Sequence, residues 1–242
     1  VKKKIAISIL AILMLIGTVF ATIYLQDNFN DGSFTDKWNI GTNCLIKEES
    51  GYAQTPHACN LYSGYRSTGI VATGGSSCFW SKNSFSFGQG MNVQVELTDY
   101  GNAYWASFGL SNEDYSPMSD HRRYRIELCT NTNLDGEDSY TIYAVKQKGT
   151  TFYTVGYDAT AYTTGTMKIS RTEGDEVVFY WRGTEFARED WDIGESSLYV
   201  MFGSQSAFVC EPHDRNNPWQ QPYLTYKFYT GIAKWDNLQL WD

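Results

Sequence analysis

From Asn43 onward the chain is written as short runs of β-branched and aromatic residues separated by turn residues, and this pattern restricts the fold more than any other feature. Such side chains pack well on a pleated, half-buried surface, so the runs read as strands. Strands are expected at 69–72, 78–81, 91–98, 104–111, 124–129, 140–147, 151–157, 165–171, 176–181, 198–203 and 224–228. Gly74-Gly75, Asp135-Gly136, Lys148-Gly149, Gly174-Asp175 and Arg182-Gly183 supply the turn chemistry between them. No stretch has helical periodicity, and there is no internal repeat or low-complexity linker. An all-β sandwich of two antiparallel sheets follows, and residues 22–242 suit a single domain of about 220 residues.

The first residues read differently. Lys2, Lys3 and Lys4 precede an uncharged apolar run, and small residues stand at Val19 and Ala21, the layout of a secretory signal spanning 1–21. An uncleaved membrane anchor is the alternative, because the uncharged stretch continues to Leu25 and approaches the length of a membrane span. Against an anchor, residues 22–27 alternate like the first strand of the domain. The expectation is a protein that is secreted or held at the cell surface, touching a membrane only if the leader stays. With 27 acidic and 19 basic residues the net charge is -8, and loss of the three leader lysines takes it to -11. Nucleic acid is therefore excluded as a partner. Five cysteines, Cys44, Cys59, Cys78, Cys129 and Cys210, leave at least one thiol outside any intrachain pairing. Cys44 and Cys59 are the preferred pair on proximity alone, and no Cys/His spacing suits zinc.

At the other end, strict alternation places Leu238 and Leu240 on one strand face and Trp235, Asn237, Gln239 and Trp241 on the other. Asp236 shares the parity of the leucines. A carboxylate heading a core-facing row must be paired, hydrogen-bonded or metal-bound. It is expected to tie the closing strand to the opening segment at Asp27 and Asn28.

The opening Asp27-Asn28-Phe29-Asn30-Asp31-Gly32 and the closing Trp235-Asp236-Asn237-Leu238-Gln239-Leu240 fit D-x-F-x-[DN]-G and W-D-N-[LIV]-x-[LIV]. In these two motifs the chain resembles the concanavalin A-like lectin and glucanase superfamily, in its laminin-G-like jelly-roll branch. The run 166–181, a strand ending in Ile169-Ser170-Arg171, a turn and a second strand, is similar to that superfamily's central strand pair. The resemblance implies a two-sheet antiparallel jelly roll. It also implies a structural calcium between opening and closing segments, here at Asp27 and Asp236.

A fold of this kind hosts lectins, glycosidases, polysaccharide lyases and adhesion domains alike, so function has to come from the site. Glucanases in the superfamily use alternating acids, E-x-D-x-E or E-x-D-x-x-E, to aim several carboxyls at one sugar. The nearest approach, Asp190-x-Asp192-x-x-Glu195, lacks the leading Glu and reads as a solvated loop. Arg125-Ile126-Glu127-Leu128 looks like the R-x-E-L strand of the lyases, but their Q-x-H motif is missing. No residue is assigned a catalytic role. Arg125 and Glu127 share one strand face, as an ion pair or as partners for sugar hydroxyls. Aromatic residues make up 16% of the chain, with 8 Trp and 18 Tyr. Sugar rings stack their C–H faces on such side chains. Those in polar, loop-like settings, Tyr65, Trp80, Trp105, Tyr115, Trp191 and Trp219, are the candidate platforms. The expected activity is binding of a polysaccharide or surface glycan on a concave sheet without catalysis. A divergent glycoside hydrolase or lyase and a structural or adhesion protein are the alternatives.

Overall fold

The computed structural model describes residues 21–31, 34–40, 47–49, 52–55, 71–73, 76–101, 103, 105–112, 121–132, 138–195, 197–205, 207–212, 224–229 and 233–242. Residues 1–20 of the signal-like segment, and Cys44 and Cys59, lie outside them.

Two antiparallel sheets face each other. The first runs β15 (Thr184–Asp190), β14 (Glu176–Trp181), β13 (Gly165–Arg171), β8 (Asn92–Asp99), β19 (Ala233–Trp241), β4 (Tyr52–Thr55) and β3 (Lys47–Glu49), with β1 (Ile23–Asp27) paired to the end of β19. The second runs β12 (Thr151–Thr160), β11 (Asp138–Lys148), β10 (Arg122–Thr132), β9 (Trp105–Ser111), β16 (Ser197–Gln205), β6 (Ser76–Ser81) and β2 (Trp38–Ile40), with β7 (Phe85–Ser86) also on β16. A small third sheet holds β5 (Val71–Thr73), β17 (Ala207–Pro212) and β18 (Leu224–Tyr229). A single helical turn, α1 (Phe34–Lys37), is the one helix among the described residues, and the strand pattern gave no hint of it.

The turn chemistry accounts for the hairpins. Arg182 and Gly183 both have positive φ, 53° and 81°, so the two-residue link from β14 to β15 twists with its strands. Between β13 and β14, Asp175 at φ 63° is held by Arg171 Nε at 2.7 Å. β13 and β14 have the bounds read from the sequence, whereas β15 lies where no strand is expected: Phe186 and Ala187 are adjacent, flanked by charged residues, and give neither period-two alternation nor branched side chains to announce one.

The core lies between the sheets. Val93, Val95, Leu97, Ile169, Phe179, Leu238 and Leu240 of the first meet Phe108, Leu110, Tyr124, Ile126, Leu128, Val200 and Phe202 of the second, all essentially inaccessible to water. Phe202 and Trp235 touch across the gap, with centroids 5.3 Å apart.

Trp235 contradicts strict alternation, since it is buried together with Leu238 and Leu240. The reason is a β-bulge: the register with β8 shifts between Asp236 and Gln239, and Asn237 takes a left-handed φ of 50°. Asp236 consequently turns away from the core, opposite Glu96. The core-facing carboxylate belongs instead to Asp27, which is 3% exposed. It accepts hydrogen bonds from Phe29 N at 2.9 Å and Trp38 Nε1 at 2.7 Å, with the Lys37 ammonium at 3.4 Å. Asp27→Ala leaves two buried donors unsatisfied and is expected to lower unfolding free energy by about 3 kcal/mol, measured by urea denaturation. Asp27→Asn, which keeps acceptor capacity, should lose clearly less.

Candidate glycan-binding face

Tyr124, Ile126 and Leu128 of β10 point into the core, so Arg123, Arg125, Glu127 and Cys129 project from the opposite side of the sheet. Cross-strand registry brings the same face of its neighbours into line. Arg125 lies opposite Gly109 on β9 and Val145 on β11, while Glu127 lies opposite Ser107 and Tyr143. On β16, Gly203 is opposite Ser107 and Met201 is opposite Gly109. On β6, Trp80 is opposite Met201 and Cys78 is opposite Gly203. Trp105 pairs with Cys129.

Trp80, Trp105, Arg125 and Glu127, four of the residues proposed from the sequence, thus share one face of one sheet. Small residues make its floor. A Cβ on Gly203 would meet the Trp105 indole at 3.2 Å and Ser107 Oγ at 3.1 Å, so the Trp105 ring leans over this floor. A Cβ on Gly109 would collide with the Tyr124 carbonyl and the Arg125 backbone. Arg125 Nη2 and Glu127 Oε1 form an ion pair of 2.7 Å, with 12% and 17% of their side chains exposed. The Arg125 guanidinium also lies 5.2 Å from the ring centroid of Phe152 on β12. At one end of the face Arg123 is buried, with Nε donating to Ser111 Oγ at 3.1 Å and Nη2 2.6 Å from His121 Nδ1. Burial, and then the Glu127 carboxylate, push the Cys129 thiol above its ordinary range, so it stays protonated and is a poor nucleophile. Cys78 and Cys129 are not disulfide-bonded.

The other sequence candidates fall elsewhere. Trp191 packs between the sheets' edges, with Phe87 at 5.8 Å, Tyr124 at 5.1 Å and the Arg171 guanidinium 4.2 Å from its ring, and has no open ring face to offer. Tyr65, Tyr115 and Trp219 lie outside the described residues. In the acidic stretch after Phe186, Glu189 and Asp192 are held by Lys146 Nζ at 2.6 and 3.2 Å, and Asp192 also by Lys148 Nζ at 2.8 Å. These acids pin β15 to β11 and do not reach the Trp105 face. Sequence reasoning passed over Tyr143, Gln147, Phe152 and Tyr157, although the alternation of Tyr143 with buried Ile142 and Ala144 already marks its side.

For the expected calcium the donor set is thin. Both Asp27 carboxylate oxygens accept hydrogen bonds, Asp236 Oδ1 accepts from Asn237 N at 2.7 Å, and no group of three His, Cys, Asp or Glu able to hold a metal occurs among the described residues.

No family model matches the chain, and no curated protein sequence does. Solved structures do. A structure described under endo-acting O-glycanases of the human gut microbiota that initiate mucin breakdown is similar at 16% identity and TM-score 0.54, over 91% of this chain and 99% of the other. The β-glucanase of Bacillus licheniformis is similar at 12% identity and TM-score 0.56, over 93% and 98%. The metal-free Emp46p carbohydrate recognition domain gives 11% identity and TM-score 0.56, over 87% and 90%. At such identities the likeness defines the fold, and this chain is a concanavalin A-like jelly roll.

The Asp192 network sets an acid-stability test. Burial alone would raise the Asp192 pKa, but the Lys148 and Lys146 ammonium groups and the Tyr124 hydroxyl hold it below the usual carboxylate value. A depressed folded-state pKa gives stability that is complete above the unfolded value near 4 and is lost as pH falls through the lower folded value. Asp192→Asn is expected to lower Tm near neutrality, where the paired carboxylate contributes in full, and to flatten its fall below about pH 4, so that the two proteins converge in acid. An acid limb identical to the wild type would remove this pair from the account.

Proposed function

We propose that the chain is an exported, non-catalytic carbohydrate-binding domain that holds a polysaccharide or surface glycan against the Trp80–Trp105–Arg125–Glu127 face. The observation that carries this reading is the convergence of two half-buried tryptophans and a hydrogen-bonding ion pair beside a floor of Ser107, Gly109 and Gly203. The indoles stack on C–H faces of sugar rings, and the small floor residues let a ring approach the sheet. Arg125 donates and Glu127 accepts, which suits adjacent hydroxyls.

Glucanases of the same fold make hydrolysis the competing reading. Hydrolysis calls for two carboxyls about 5 to 10 Å apart across the scissile bond. Among the described strand residues on this face Glu127 is the one carboxylate, and it is engaged by Arg125 at 2.7 Å. That supports binding over turnover.

The test is a panel of mixed-linkage β-glucan, κ-carrageenan and mucin, with binding and release of reducing or unsaturated ends followed in the same wells. Binding without product is expected, and Trp105→Ala should weaken it roughly tenfold, the scale of one lost stacking contact. Sustained product release that Glu127→Gln abolishes would replace this reading with the hydrolase. Calcium keeps a narrow place here: Asp236, whose pKa is raised by burial and by the nearby Glu96 and Asp27 carboxylates, is the acid a cation would relieve. If calcium binds there, it raises Tm in the wild type but not in Asp236→Asn.

A further inference from the structure

Resting on the glycan-binding reading, we infer that the binding face crosses two more strands to the margin of the sheet. There Tyr143, Tyr157 and Phe152 form a distal subsite, and the ligand is a saccharide chain of about five or more units.

The registry carries the argument. Tyr157 on β12 is directly opposite Tyr143 on β11, which is opposite Glu127, so the three side chains form one row on the side away from the core. The two tyrosine rings lie 5.9 Å apart at 35°. Phe152 is opposite Gln147 and covers the Arg125 guanidinium, which fixes it on the same side. Tyr153, the next residue, sits over Lys146 on the other side. Tyr157 is 69% exposed and Phe152 57%, among the most exposed large apolar side chains of the described chain. An aromatic surface of this kind at the end of a strand row, continuous with the Trp105 face, offers its rings to a flat apolar ligand face.

Two unpartnered polar atoms lie between the two groups of rings. Gln147 is 4% exposed, its Nε2 donates to the Gly149 carbonyl at 2.8 Å, and its Oε1 has no partner. Arg125 Nε, one strand away, is a donor in the same condition. Both atoms are buried, so what a saccharide meets from outside is the neighbouring ion pair, whose Arg125 and Glu127 side chains are 12% and 17% exposed and offer a donor and an acceptor to its hydroxyls. The alternation of ring, hydrogen-bonding pair and ring matches a chain of pyranoses and does not suit a single sugar. From β6, which carries Trp80, to β12, which carries Tyr157, there are five interstrand steps. At about 4.8 Å per step the face spans about 24 Å across its strands, or roughly five units of about 5 Å each.

The experiment titrates wild type, Trp105→Ala and Tyr157→Ala with oligosaccharides of mixed-linkage β-glucan, κ-carrageenan and mucin glycans, each as a ladder from disaccharide to octasaccharide. Affinity for the sugar that binds is expected to climb until about the pentasaccharide. Tyr157→Ala should lower affinity for that length and longer roughly fivefold to tenfold and leave the short ones unchanged. Trp105→Ala should weaken every length. Tyr157 is mostly exposed, so its removal leaves the fold intact, checked by an unchanged Tm. A plateau by the trisaccharide, or a Tyr157→Ala variant equal to wild type at every length while Trp105→Ala binds more weakly, overturns the distal subsite and leaves the glycan-binding reading standing. Failure of all ladders and polymers to bind overturns both.

Discussion

The buried carboxylate of Asp27 is the constraint from which the rest of the sandwich can be followed. It ends β1, receives the Phe29 amide and the Trp38 indole, and balances its charge against Lys37. The Phe29 amide bond helps hold that residue at φ 48°, a conformation a bulky side chain adopts only when its surroundings fix it. With Phe29 and Trp38 set, their rings meet Phe34, Phe79 and Phe202, and Phe202 in turn meets Trp235 from the opposite sheet. One hydrogen-bonded anion therefore aligns the aromatic cluster that joins the two layers. At the other side Tyr124, Trp191 and the Lys146–Asp192 contacts do the same work with more solvent present.

Between these two clamps the strands of the second sheet keep one registry, and its far side presents an ordered row of side chains. The residues that face away from the core on β6, β9, β10, β11 and β16 were selected by the same period-two rule that buries their neighbours. A floor of glycine and serine beside tryptophan walls has no evident use to the core, since none of it contributes to the apolar contact between the sheets. Gly109 is a partial exception, because the close approach of the Tyr124 carbonyl excludes a side chain there for steric reasons alone.

Most of the fold was legible in the chain. The strands at 165–171 and 176–181 and the Arg182-Gly183 turn appear where their residue types put them, because local chemistry and tertiary pairing agree. Asp236 was misplaced because a bulge has no signature in a period-two pattern: Asn237 tolerates left-handed φ, but nothing in the sequence says that it must adopt it. The face was half legible. Alternation put Arg125 and Glu127 on one side of a strand, and the wealth of Trp pointed to Trp80 and Trp105, yet their meeting depends on strand order, which a sequence does not display. Trp191 looked like a surface ring because acids surround it; those acids are spoken for by Lys146 and Lys148. Tyr157 was missed for the opposite reason, lying within a run that read simply as a strand.

The pairing of β1 with β19 has a consequence for how this domain can be displayed. Thr22 N and Asp242 Oδ1 are 2.5 Å apart, so residue 22 and residue 242 emerge side by side from the sheet opposite the Trp105 face. A segment joined at residue 22 or residue 242 would therefore leave from a strand end of the first sheet, whereas the Trp105 face belongs to the second. On the glycan-binding reading proposed above, copies linked in tandem, or crowded on one support, engage a single polymer together, with an avidity set by spacer length and not by any change in the face itself.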